Sequence, residues 1–128
     1  MNKKTIKLEI GGKERTFWLG LGFLAMLFKS TNLTLSNIGE QLNENPFKAV
    51  PDIMFISLKY GYDRVGAEID FNVFEVTEWI DDAGGISADV VKEFLEAFGN
   101  SMSSPETESA NPEVRKKTTK KKKPITLK

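Results

Sequence analysis

The chain has no cysteine and no histidine among its 128 residues. Without cysteine there is no disulfide and no thiolate metal site. Without histidine the commonest general base and the commonest metal ligand are missing, and serine–histidine nucleophile pairs are excluded. Carboxylate-based or lysine-based catalysis stays chemically open, as does Mg²⁺ binding through oxygen ligands. Long apolar runs are missing as well. The most apolar window, residues 17–28, is about a dozen residues, against roughly 20 needed to span a bilayer. The opening MNKKTIKLEI interleaves charge with apolar residues and has no continuous apolar core of a signal peptide. A soluble cytoplasmic protein is expected, with no membrane contact. No internal repeat is visible.

Large apolar side chains nearly vanish after Met102, where SSPETESANPEVRKKTTKKKKPITLK keeps only Val114, Ile125 and Leu127. The formal net charge of zero hides two opposite parts. Residues 1–102 carry ten Lys/Arg against fifteen Asp/Glu, and residues 103–128 carry eight against three. So few apolar groups cannot offset the entropy lost on ordering. The expectation is a folded acidic domain over 1–102 and a disordered basic tail over 103–128. About 100 residues suffice for one modest core, near the small end for independent stability.

In Thr5–Ile10 the side chains of Ile6, Leu8 and Ile10 alternate with Lys7 and Glu9. Gly11-Gly12 supplies a tight turn, and a second strand follows to Leu19, with Arg15 and Phe17 facing away from Glu14 and Trp18. Residues 21–29 read as a short helix, apolar nearly all round: Leu21, Phe23, Leu24, Met26, Leu27 and Phe28. Such a helix is buried on all sides or meets a partner. Ser36 is the expected cap of a short helix to Leu42, with Ile38 and Leu42 inward. Asn45 and Pro46 open a longer helix to about Tyr60 that buries Phe47, Val50, Ile53, Met54 and Leu58. Pro51 offers a second possible start, which would leave residues 47–50 as a connector. Residues 61–66 read as a loop, with Asp70 as cap of a helix from about Asn72 to Ala83 that Gly84-Gly85 ends. Ser87 is the expected cap of a last helix, in which Val90, Val91, Phe94, Leu95, Phe98 and Met102 keep helical spacing. Gly99-Asn100 is a point where that helix can fray or end. The fold class is α+β, mainly α-helical, with an N-terminal hairpin packed on a small helical body.

No constellation points to a reaction. Glu75, Glu78, Asp81 and Asp82 share one helix and read as a solvated acidic face, because a hard cation wants several converging oxygens. Asp63, Glu68 and Asp70 do not have the spacing of a calcium loop, and the glycines at 11, 12, 20 and 22 do not form a phosphate cradle. Trp79 lies beside the acidic face and off the main apolar one, so it is an interface candidate alongside its core reading. The run Arg115, Lys116, Lys117 and Lys120, Lys121, Lys122, Lys123 has the charge to contact nucleic acid or an acidic partner. No aromatics interleave it for base stacking. At the gene level, consecutive lysine codons are A-rich and suit ribosomal slippage.

The hairpin TIKLEIGGKERTFWL, the apolar helix LGFLAMLFK, the helical body, the amphipathic VVKEFLEAFGNSM and a charged tail with a late lysine run form one layout. It resembles the tail assembly chaperones of long-tailed bacteriophages of Gram-positive hosts, over Thr5 to about Met102 plus the character of the tail. The resemblance implies a non-enzymatic protein of the infected host cytoplasm, absent from the mature virion. It implies binding to the tape-measure protein and possibly the tail-tube protein, no cofactor, and a longer product made by a −1 frameshift; the surplus apolar surface of residues 21–28 separately suggests self-association as a homo-oligomer. On this reading the partner-binding candidates are Leu21, Phe23, Leu24, Met26, Leu27, Phe28 and Trp79, and the six lysines of the run are tail contacts. No catalytic, cofactor or metal residue is assigned. The rival readings are a virion structural protein of the tail tube or connector, and a nucleic-acid-associated protein using the basic tail.

Overall fold

The computed structural model describes residues 4–103. Two strands, β1 (Thr5–Ile10) and β2 (Lys13–Trp18), precede five helices: α1 (Leu21–Ser30), α2 (Ile38–Glu44), α3 (Pro46–Arg64), α4 (Val73–Ala83) and α5 (Asp89–Ser103). The mainly helical α+β class read from the sequence is what the chain adopts. The described residues up to Phe98 form one compact unit, and residues 99–103 carry the end of α5.

β1 and β2 pair antiparallel, with Ile6 opposite Phe17 and Ile10 opposite Lys13. The two-residue turn demands positive φ at both central positions, and Gly11 (φ 66°) and Gly12 (φ 86°) provide it. Paired residues share a face, so Leu8, Ile10 and Phe17 lie together and are buried. A lone hairpin is marginal in water. Here the Phe17 ring meets Phe94 of α5 at 5.3 Å, and Phe94 stacks on Phe98. Phe98 in turn meets Phe23 of α1 edge-on at 5.9 Å. This file of four phenylalanines, all essentially out of solvent, ties the hairpin to α1 and α5.

α3 is the central helix and packs against β2, α1, α2 and α4. Its buried positions include Val50, Ile53, Met54 and Leu58. It begins at Pro46, where the missing N–H costs nothing, and Asn45 is its N-cap. Pro51 is not the start: it lies buried inside the helix, early enough that the lost bond falls on the exposed first turn. Phe47 departs from expectation. It shares the helical spacing of the buried positions but sits at the end of the helix, and it is 78% exposed. The helix also outruns its expected end at Tyr60 by one turn, to Arg64, so the region read as a loop is partly helical. Within that last turn Gly61 lets α3 pass close to β2: a Cβ there would lie 2.6 Å from the Trp18 indole.

The expected caps shift. Asn37, not Ser36, stands at the N-cap of α2, where its side-chain oxygen accepts from the Thr34 N–H within the preceding turn. α4 is capped by Asn72 rather than Asp70, through a reciprocal box. The Asn72 side chain accepts from the Glu75 N–H, and the Glu75 carboxylate accepts from the Asn72 N–H. Gly84 and Gly85, both at positive φ, close that helix through bonds to Asp81 and Ile80. α5 starts at Asp89, one residue later than a Ser87 cap would give: the Lys92 N–H bonds the Ala88 carbonyl. It continues past Gly99-Asn100 to Ser103.

Candidate functional site

The helix LGFLAMLFKS is apolar around most of its girth, and the fold splits that girth in two. Phe23 and Leu27 are fully buried, while Leu24, Met26 and Phe28 are half-buried and Leu21 is 84% exposed. The sequence leaves open whether these six candidates face core or partner; Phe23 and Leu27 lie in the core and offer a partner no surface. Phe23 belongs to the phenylalanine file, and Leu27 lies one turn further along the same side. The surface left to a partner is Leu21, with the rims of Leu24, Met26 and Phe28. Gly22 lets this helix approach α3, since a Cβ there would overlap the Tyr60 hydroxyl.

Trp79 is half-buried, and its environment is defined by a cation. The Arg15 guanidinium stacks over the Trp79 ring at 3.9 Å and lies 5.6 Å from Phe71. Arg15 is fixed in place by donating from Nε to the Ile10 carbonyl (2.8 Å) and from a terminal nitrogen to the Gly11 carbonyl (3.1 Å). Trp79 also presses on the hairpin turn, where a Cβ on Gly11 would come within 2.6 Å of the indole. Phe71 joins this group to Phe55, Tyr62 and Trp79 through ring contacts of 5.3–6.0 Å. Trp79 thus clamps α4 to the hairpin, and its exposed edge is all that a partner meets.

A second arginine stack stands on the other face of the hairpin. The Arg64 guanidinium lies 4.2 Å from the Trp18 ring, which meets Tyr60 edge-on at 6.0 Å. Between β2 and the C-terminal half of α3 runs a groove of about 370 Å³, lined by Thr16 and Trp18 on one side and Leu58, Tyr62 and Val65 on the other. Sequence reasoning missed this groove, because its walls come from segments some 45 residues apart in the chain.

Large apolar side chains remain in solvent elsewhere. Phe74 is 76% exposed, and Leu35 and Val65 are also exposed, besides Leu21 and Phe47. The acidic face behaves as a solvated one: Glu75, Glu78, Asp81 and Asp82 are exposed. Among the described residues no cluster of three or more His, Cys, Asp or Glu is arranged to hold a metal ion. Among them, too, no helix is long and apolar enough to cross a membrane. Lys116, Lys117 and Lys120, Lys121, Lys122, Lys123, read as tail contacts, lie outside the described residues. No family model, no curated protein and no solved structure matches this chain.

Proposed function

We propose that the chain is a tail assembly chaperone of a long-tailed bacteriophage: a non-enzymatic protein that binds the tape-measure protein, keeps it soluble and promotes assembly of the tail tube. The proposal rests on the resemblance of layout and on one observation. A small body with a closed aromatic core leaves Leu21, Phe47 and Phe74 more than three-quarters exposed. A holdase requires that combination of apolar contact points on a charged body and requires no chemistry. The client is a long apolar helix, which such scattered side chains grip through its hydrophobic stripe.

Self-association extends the reading, because several copies along one client multiply weak contacts into avidity. The lysine codons for Lys120–Lys123 are the natural site for a −1 frameshift that yields a longer partner form.

The test is quantitative mass spectrometry of infected cells against purified virions. The proposal expects the chain in the infected cytoplasm and its absence from virions. A stoichiometric presence in virions would mean a structural subunit instead. Sequencing the gene from the Arg115 codon onward tests the frameshift separately, since a slippery heptamer must be followed by an open −1 frame.

A further inference from the structure

We infer that α5 is a displaceable strap. It covers an apolar seat on the hairpin and α1, and the same seat accepts an amphipathic helix of a partner with large apolar side chains spaced as Val91, Phe94 and Phe98 are. This goes beyond the chaperone reading and stands without it, because the occupant is defined by the seat that α5 fills and not by any one client.

α5 is held differently from the other helices. α3 packs closely on β2, α1, α2 and α4, and α5 is absent from that set. α5 reaches the body through long side chains instead. Val91, Phe94 and Phe98 are fully buried, with Phe94 against Phe17 at 5.3 Å and Phe98 against Phe23 at 5.9 Å. Asp89, Lys92, Glu93 and Glu96 stay exposed on the other side. Among the described residues, no ion pair and no side-chain hydrogen bond joins residues 89–98 to another element. A helix gripped only through apolar anchors at i, i+3 and i+7 is bound as a helical ligand is bound in a groove.

The body closes without α5. Gly84 (φ 122°) and Gly85 (φ 90°) precede it, and their N–H groups bond the Asp81 and Ile80 carbonyls. Those bonds end α4 within itself, so α4 keeps its cap when α5 departs. Arg15 over Trp79 fastens α4 to the hairpin. The Ser57 hydroxyl fastens α3 to the hairpin by donating to the Trp18 carbonyl at 2.7 Å. Hairpin, α3 and α4 thus hold one another, and α5 opens as a cooperative unit of lower stability than α3.

The present occupant states the chemistry of the next one. Opening bares the Phe17 and Phe23 rings, both completely buried under α5 and its neighbours. Their counterparts Phe94 and Phe98 lie four residues apart and stack at 6.2 Å, the spacing of one helical turn. The seat therefore takes a helix with an apolar stripe and a charged back. Because α5 is tethered to the seat, it competes with every partner, and the apparent affinity is scaled down by the fraction of chain that is open.

The experiment uses the isotope-labelled full chain and an unlabelled peptide of residues 88–102, ADVVKEFLEAFGNSM. In the unbound chain the amides of residues 92–98 should exchange together, at least about tenfold faster than those of residues 53–58 in α3. The peptide should bind saturably and release the chain's own 92–98 amides to unprotected exchange, while α3 keeps its protection. A peptide with both phenylalanines changed to Asp should bind at least about tenfold more weakly. Val91→Ala in the chain trims the strap and leaves the seat intact, so exchange of residues 92–98 and peptide affinity should rise by the same factor. The exchange and binding tests on the unaltered chain stand apart from the folding of that variant. The inference is overturned if residues 92–98 exchange as slowly as α3, if the peptide fails to bind or binds without releasing them, or if the Asp-substituted peptide binds equally well. Dimers of the unliganded chain that no longer take the peptide would overturn it too, making the occupant α5 of a second copy.

Discussion

Truncating Phe23 and charging Leu21 perturb the same helix two residues apart, and the structure assigns them opposite consequences. Phe23 is fully buried, with its ring 5.9 Å from Phe98 in the phenylalanine file. Phe23→Ala loses the transfer energy of the ring and leaves a cavity, about 3–5 kcal/mol in comparable cores. A domain of this size has a total stability of about 5–15 kcal/mol. At roughly 4–8 °C per kcal/mol, Tm should fall by at least about 12 °C, and part of the population should be unfolded at 37 °C. Leu21 is 84% exposed and is the first residue of α1, a helix with no acid in its first turn. Leu21→Asp places a carboxylate at the positive end of the helix dipole, worth about 0.3–1 kcal/mol in favour of folding. Urea denaturation followed by circular dichroism measures both. A Phe23→Ala variant within 1 kcal/mol of the parent would refute the four-ring core. A Leu21→Asp variant destabilised by more than 1 kcal/mol would show that Leu21 is not a solvent-facing contact point.

Gly61→Ala sets a Cβ 2.6 Å from the Trp18 indole; the expected cost is about 1–3 kcal/mol from overpacking, despite the better helix propensity of alanine, with a shift in tryptophan emission. Gly39→Ala, in α2 with nothing within 4 Å of the new Cβ, should instead stabilise by about 0.4–1 kcal/mol on thermal melting. Asn72→Ala breaks the reciprocal cap of α4 and should cost about 1 kcal/mol, visible as faster amide exchange in its first turn.

Local chemistry made the hairpin legible. Alternation over Thr5–Ile10 and a Gly-Gly turn admit one register, and that register forms. The amphipathic spacing of Val91, Phe94 and Phe98 placed α5's buried side correctly for the same reason. What the sequence hid was tertiary. The glycine at 61 reads as a helix breaker, yet α3 runs through it to Arg64, and its lack of a side chain instead admits the Trp18 indole. Phe47 reads as core by spacing, yet it lies in the first turn of α3 and is exposed. The uniformly apolar α1 carried no signal to separate Phe23 from Leu21; the position of Phe98 separates them. The β2 groove depends on the path of α3 beside the hairpin, which is not written in residue types.

The central claim is that this body holds a long apolar client through exposed side chains. On the proposed function, the direct measurement is co-expression of the full chain with the tape-measure protein of the phage so proposed, reading the soluble fraction of the client and its co-purification. The account predicts a soluble complex with the parent chain, and loss of solubility when Leu21, Phe47 and Phe74 are all changed to Asp in a variant that still shows the parent's circular dichroism. A client that stays insoluble beside the parent chain, or stays equally soluble beside the folded triple variant, would contradict it.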